Sequence, residues 1–319
     1  MIKKDTQGVT FAKGFTAAGV KAGIKKSGNL DVAVIYTKTQ AVVAGTFTQN
    51  KVAAAPVYVS KEVVATGTAH AIVANAGCAN ACTGQQGLDD AHKMAQIAAD
   101  ELGVNADDVI VGSTGVIGVN LPMDKLEAGI KDAVANLSAD GSGNAGRAII
   151  TTDTHSKSVT CEFELSGKTV RMGAIAKGSG MIRPNMATML CYITTDIAID
   201  QALLQKAVSG CVEKSFNMIS VDGDMSTNDM VIVLANGEAN NAKITEENAD
   251  YQIFFDKLMM LCTELAKQIA ADGEGASKFL TINVKGAKSF ADAKTVGMAI
   301  ANSPLVKLHS SVKTLTGDV

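Results

Sequence analysis

Two apolar runs, residues 31–37 and 41–47, are separated only by Lys38-Thr39-Gln40, and this spacing constrains the fold more than any other feature of the chain. Both runs carry the β-branched residues that strands favour, and a three-residue link between them reads as a hairpin. Residues 158–165 and 168–174 repeat the pattern around Ser166-Gly167, a two-residue turn signal. Residues 188–197, 230–234 and 279–284 read as further strands. Helices fall between them. Over 251–271, Phe254, Leu258, Leu261, Leu265 and Ile269 share one face, with Asp250 placed to cap the start and Gly273 where a helix ends. A helix over 200–214 turns Leu203, Ala207, Cys211 and Val212 inward, and one over 89–102 turns Met94, Ile97 and Ala98 inward. Helices that alternate with hairpins define an α/β chain and argue against a doubly wound parallel sheet.

The chain has 319 residues, enough for about two average domains by length alone. Hydrophobic residues make up 47% but aromatics only 4%, with no tryptophan, so the core must be aliphatic. A net charge of −3, with acids and bases interspersed, argues against a nucleic-acid partner. The amino terminus lacks the apolar stretch of a secretory signal, and no apolar run is long enough for a transmembrane helix. The cysteines Cys78, Cys82, Cys161, Cys191, Cys211 and Cys262 sit among small or apolar residues and read as reduced thiols, so a cytoplasmic location is expected. No metal site is expected. Asp222-Gly223-Asp224 opens like a calcium loop but has Thr227 and Val233 where glycine and glutamate are required. Cys78 and Cys82 lack a second ligand pair, and the four histidines form no ligand spacing.

The chemistry is concentrated between Lys177 and Leu190, where Ala187 directly precedes Thr188. An internal threonine is a poor nucleophile. Cleavage of the Ala187–Thr188 bond would give Thr188 a free α-amine, whose ordinary pKa of about 7.7–8.0 suits a proton acceptor near neutrality. Nucleophile and base would then belong to one residue. Gly178, Gly180 and Pro184 just upstream permit an irregular approach to that bond. Taken alone, Ala187-Thr188-Met189-Leu190 is also how a buried strand begins.

The longer pattern resembles the ornithine acetyltransferase family, the glutamate N-acetyltransferases of the cyclic arginine pathway. The resemblance runs from Val9 to about Lys307 and rests on eight segments in order. They include Asn75-Ala76-Gly77-Cys78, Ser113-Thr114-Gly115-Val116, Thr151-Thr152-Asp153-Thr154, Ala176-Lys177-Gly178 with Ala187-Thr188-Met189-Leu190, and Asp272-Gly273-Glu274-Gly275. It implies a layered αββα sandwich of the self-processing type, cut into residues 1–187 and 188–319. It also implies Thr188 as nucleophile, and Thr114 and Gly115 as the donors that receive the oxyanion. Lys177, Thr154 (with Thr152 as a rival), Thr188 and Glu274 would bind substrate. The reaction implied moves acetyl from N-acetylornithine to glutamate, with acetyl-CoA as a further possible donor substrate, no cofactor, and two copies of each cleaved chain. Two alternatives share the chain's features: a self-processing aminopeptidase or amidase of the same architecture, and an inactive fragment.

The resemblance stops at Lys307. Family members continue Thr-Ala-Phe-Phe-Gly-Glu-Asp-Pro-Asn-Trp-Gly-Arg, and their tail supplies an asparagine and a threonine to the substrate pocket. This chain runs from Leu308 to Val319 instead. Codons for the family segment, read with the first base omitted, spell the observed residues, so a frameshift after Lys307 is expected; resequencing across that codon tests it.

Overall fold

The computed structural model describes residues 2–4, 7–183 and 189–311. Ala187, Thr188 and Pro184 lie outside the described residues. Nine strands are described: β1 (Ile2–Lys4), β2 (Phe15–Val20), β3 (Val32–Phe47), β4 (Thr68–Cys78), β5 (Val109–Val116), β6 (Lys157–Leu165), β7 (Lys168–Lys177), β8 (Leu190–Thr195) and β9 (Met230–Ala235). The described helices are α1 (Ala55–Thr66), α2 (Gly84–Leu102), α3 (Met123–Ala135), α4 (Ser142–Ile149), α5 (Gln201–Lys214), α6 (Ala249–Ala271), α7 (Phe290–Ala301) and α8 (Pro304–Ser311).

The strands form one sheet in the order β1-β6-β7-β8-β9-β3-β4-β5, with β2 also paired to β3. Three separate apolar clusters show how it is layered. The first joins β6–β9 to α5 and α6 through Cys191, Val231, Val233, Phe254 and Leu258. The second lies between the two halves of the sheet, where Ile35, Ile72 and Ile110 meet Ile175, Tyr192 and Ile232, with α4 inserted through Ala145, Ala148 and Ile149. The third joins the other face of β2–β5 to α2 and α3 through Val34, Val73, Val111, Met94 and Ile130. Helix, sheet, sheet, helix is the expected αββα sandwich. Its two sheet layers are halves of one bent sheet. Because β8 and β9 are covered on both faces, every residue in them is buried, which explains their unbroken apolar sequence.

The expected hairpin of residues 31–47 is not formed. Both runs belong to the single strand β3, interrupted between Tyr36 and Ala41 by an irregularity in its pairing with β4. The first half finds its partners in β2 and β4, the second in β9 and the start of β4, so neither needs the other. Lys38, Thr39 and Gln40 are exposed, and Thr37 Oγ1 donates to the Thr39 carbonyl within the bulge (3.1 Å). The β6–β7 hairpin is formed as expected. Ser166 and Gly167 carry φ of 46° and 79°, the twist of a two-residue type I′ turn. Residues 279–284 form no strand; Phe279, Leu280 and Ile282 are exposed and pair with no described strand. On α6 the face is as the periodicity requires, with Phe254, Leu258, Leu261, Leu265 and Ile269 all buried, whereas on α5 Ala207, Cys211 and Val212 are buried but Leu204 takes the inward place expected of the half-buried Leu203. The cap of α6 is Asn248, whose side chain accepts from the Tyr251 N–H, rather than Asp250. No described helix is long and apolar enough to cross a membrane.

Candidate active site

The site forms where the two sheet halves face each other at one end of the sandwich. Gly112 on β5 lies against Tyr192 on β8, so closely that a side chain on Gly112 would begin 2.1 Å from the Tyr192 hydroxyl oxygen. Two residues further along β5 stands Thr114. Two residues back along β8 stands Leu190, which pairs with Lys177 at the end of β7. Thr114 and Lys177 thus meet, although 63 residues separate them: Lys177 Nζ donates to Thr114 Oγ1 (3.3 Å) and to Thr151 Oγ1 (2.7 Å). Beyond Thr114 the chain emerges to solvent, with Gly115 exposed.

Gly115 has no alternative at its position. Its φ is +133°, and a Cβ there would lie 2.4 Å from the carbonyl carbon of Gly77 on β4. Gly118→Ala serves as a control, since Gly118 is also left-handed (φ +78°) but nothing lies within 4 Å of an added Cβ. In thermal unfolding, Gly118→Ala is expected to cost about 1 kcal/mol and Gly115→Ala clearly more. Equal costs would mean that the approach of β4 to β5 is unimportant.

Lys177 is almost completely buried, and burial pulls its ammonium below the usual lysine range, opposed by Asp153, Asp229 and Glu274. Asp153 is the nearest of these, at 3.8 Å. Its Oδ1 accepts from Lys157 Nζ (2.7 Å) and the Gly178 N–H (2.6 Å), and its Oδ2 from the Thr151 N–H (3.1 Å). Burial works to raise the Asp153 carboxyl, but Lys177, Lys157 and the Gly178 N–H outweigh it and hold the carboxyl below its ordinary value. Lys157 has no exposed surface and bridges Asp153 to Asp272 Oδ2 (2.6 Å), just past the end of α6. Asp272 in turn accepts from the Thr154 N–H (3.1 Å) and the Thr154 hydroxyl. Burial opposes ionisation of Asp272 too, yet Lys157 and Thr154 keep its carboxyl low.

The same end of α6 holds the segment after Lys177. Ser179 Oγ donates to the Asp272 carbonyl (2.7 Å), and the Glu274 N–H to the Ser179 carbonyl (3.0 Å). The Glu274 carboxylate is exposed and stands over Gly180, 2.5 Å from where a Cβ would be. In this segment Met181 takes a left-handed φ (+62°), and its N–H donates to Asp222. Asp222 also accepts from Ile182 N–H (2.9 Å), so the aspartate that opens the false calcium motif holds backbone. Among the described residues, no group of three or more His, Cys, Asp or Glu side chains could hold a metal.

Of the expected site residues, Thr114, Gly115, Lys177, Thr154 and Glu274 surround this one region. Thr154 enters through Asp272, whereas the rival Thr152, exposed like Thr154, makes none of the described bonds of that network. Cleavage residues Ala187 and Thr188 lie outside the described residues, but the next residue, Met189, is held here by its N–H on Asp229 Oδ1 (2.9 Å). Sequence reasoning missed Thr151, Asp153, Lys157, Asp229 and Asp272. Three of these stand inside the Thr151–Thr154 and Asp272–Gly275 segments; Lys157 and Asp229 had no signal.

A family model describing the ArgJ family matches residues 16–311. The chain belongs to the ArgJ family. Among ArgJ relatives, the arginine biosynthesis bifunctional protein ArgJ of Symbiobacterium thermophilum is 51% identical over 302 residues, which cover 94% of this chain and 75% of that one. The crystal structure of the arginine biosynthesis bifunctional protein from Bacillus halodurans matches at 41% identity and a TM-score of 0.53, over 59% of this chain and 98% of that chain. An ornithine acetyltransferase from Mycobacterium tuberculosis, crystallised with ornithine, matches at 38% identity and a TM-score of 0.54, over 60% of this chain and all of that one. Both solved chains are therefore about three fifths as long as this chain.

Proposed function

We propose that this chain is the ornithine acetyltransferase and glutamate N-acetyltransferase of arginine biosynthesis, active after it opens its own Ala187–Thr188 bond. The carrying observation is the meeting of Thr114 with Lys177 beside the strand that Met189 enters. Acyl transfer passes through a tetrahedral oxyanion and needs donors already aimed at it. Thr114 is so disposed. Its oxygen accepts from Lys177, which leaves the hydroxyl proton free to be donated to an oxyanion alongside the N–H of the exposed Gly115. Thr188 takes acetyl from N-acetylornithine, its amine handing the hydroxyl proton to the departing ornithine nitrogen. Glutamate's amine then attacks the acetyl ester. Glu274 and Thr154 lie where they can meet the substrate's charged ends, and Lys177 contributes positive charge beneath them. The chemistry needs no metal or cofactor; acetyl-CoA would serve as an alternative donor of the same acetyl group.

The lengths of the two solved chains support the cut, since a chain ending at Ala187 would hold about three fifths of these 319 residues. Six free cysteines, five of them buried, support a reducing, cytoplasmic setting. The assembly proposed holds two copies of each cleaved chain. Denaturing electrophoresis with intact-mass measurement tests the central step. Two chains divided after Ala187 are expected, and Thr188→Ala should remain one chain with no transferase activity. Full cleavage of Thr188→Ala would remove the assignment. Ornithine release that is indifferent to glutamate would instead mark a hydrolase.

A further inference from the structure

β5 is the last strand of the sheet, so one of its edges has no described strand beside it. Such an edge presents a row of peptide N–H and C=O groups, and residues two apart present theirs on the same side. Val111, Ser113 and Gly115 make up that row. Side chains cover its first two members. Ser60 of α1 takes both groups of Val111, its Oγ donating to the Val111 carbonyl (2.6 Å) and accepting from the Val111 N–H (3.0 Å). Asn228 Nδ2 donates to the Ser113 carbonyl (2.9 Å) and, with its second proton, to the Ala79 carbonyl just past β4 (2.7 Å). The third member, Gly115, stands at the exposed end of the row.

Asn228 is itself fixed on several sides. It is buried, its Oδ1 accepts from Thr227 Oγ1 (2.6 Å), and its N–H donates to Ser226 Oγ (3.1 Å). Turning its amide over would set Oδ1 against two carbonyl oxygens, so these partners determine its orientation. The segment that carries it is tied to the chain leaving β3. There Thr48 Oγ1 donates to the Ser226 carbonyl (2.8 Å), Asn50 Nδ2 to the Met225 carbonyl (3.0 Å) and the Ala54 N–H to the Thr227 carbonyl (2.8 Å). Ser113 is also held from β4. Its Oγ donates to Asn75 Oδ1 (2.6 Å), and Asn75 Nδ2 donates to the Cys78 carbonyl (2.9 Å).

We propose that Asn228 is the positioning residue of the oxyanion donors, acting through the Ser113 peptide. This rests on the acetyl-transfer reading above. The Ser113 carbonyl and the Thr114 N–H belong to one rigid plane. Holding that carbonyl fixes the plane from which both the Thr114 hydroxyl and the Gly115 N–H extend. Thr114 φ and ψ alone separate it from the Gly115 N–H. Rotation of Gly115 cannot correct an error inherited from them, because its own φ lies beyond its nitrogen and its α-carbon is pressed against the Gly77 carbonyl carbon. By binding Ala79 as well, Asn228 joins the ends of β4 and β5 where that glycine contact is made. Oxyanion donors work because they are aimed before the charge arrives, so donors left free to swing lose their effect while remaining present.

The test compares wild type, Asn228→Leu and Ser60→Ala by steady-state acetyl transfer and by the rate of self-cleavage, with thermal unfolding alongside. Asn228→Leu keeps roughly the same volume and removes both donors. Ser60→Ala uncovers the neighbouring member of the same row, so it reports what a lost edge bond does to the strand without touching Ser113. Both variants are expected to lose stability. Only Asn228→Leu is expected to lose rate, with kcat down about 10²-fold, KM within a few-fold of wild type and self-cleavage slowed. Ser60→Ala should turn over within about threefold of wild type. In a Thr114→Val background, Asn228→Leu should cost much less than it does alone, since one of the donors it aligns is already gone. Should Asn228→Leu fail to fold, Asn228→Ala is read by the same criteria. A rate within about threefold of wild type at position 228 overturns the proposal, as do equal losses of rate in the 228 and Ser60 variants. So does a full additional loss in the Thr114→Val background. With an active wild type, these outcomes strike this inference alone; a wild-type chain that transfers no acetyl overturns the functional reading, and this inference falls with it.

Discussion

Thr114→Val is expected to lower kcat for acetyl transfer by about 10²–10³-fold, the usual effect of removing one oxyanion donor. Valine keeps the shape and loses the hydroxyl. On the proposed reading that hydroxyl donates to the developing oxyanion, and in the structure it accepts from Lys177 Nζ; the substitution ends both. Lys177 would keep Thr151 Oγ1 and the more distant Asp153 carboxylate, so the ammonium remains partnered and the fold has little reason to change. The loss should therefore fall on kcat with KM nearly constant, the pattern of an interaction made only in the transition state. Self-cleavage passes through the same kind of intermediate and should slow as well. Thr114→Ser restores the hydroxyl and should recover most of the rate. Steady-state kinetics on the three proteins decides the matter. A Thr114→Val enzyme within a few-fold of wild type would show that Thr114 packs beside the site without acting in it.

Local pattern carried the helices because their apolar spacing is a property of one segment: Leu258 and Leu265 are buried on α6 for reasons contained in that segment. Strand partners are a different matter. The runs at 31–37 and 41–47 are truly extended, but their sequence does not say whether each pairs with the other or with β2, β4 and β9. The three-residue gap, read as a turn, is a bulge. The sandwich was legible only through family resemblance, since no local feature announces that β3 bends between two layers. At the site, Thr114, Lys177 and Glu274 could be named from the motifs in which they sit. Their meeting could not, because it depends on Gly112 facing Tyr192 across the sandwich. Lys157 is the clearest failure. A lysine at the start of a strand reads as solvated, and the pattern does not show that its charge is buried between Asp153, four residues earlier, and Asp272, 115 residues later.

That lysine supplies the largest expected effect on stability. Lys157→Met keeps much of the side-chain length but leaves Asp153 and Asp272 facing each other with no cation between them. Removing one partner from a buried ion pair costs about 3–5 kcal/mol, mostly because the charge left behind is stranded. Here two carboxylates are stranded, one with no exposed side-chain surface and one with almost none. The dependence on pH distinguishes this cause from simple loss of packing. In wild type both carboxyls are held below their ordinary values, so their contribution is full above the unfolded-state pKa of about 3.9 and is lost as pH falls through the lower folded values. In the variant, loss of Lys157 removes part of what opposes burial, so both carboxyls rise from their wild-type values and protonation relieves the strain. The stability gap between the two proteins should thus be widest near neutrality and narrow as the pH approaches the carboxylate range. A gap that stays constant from pH 7 to about 4 in denaturant titrations would point to packing alone. The same substitution loosens Asp153 from Gly178 and Lys177, so cleavage after Ala187 should slow even where the protein remains folded.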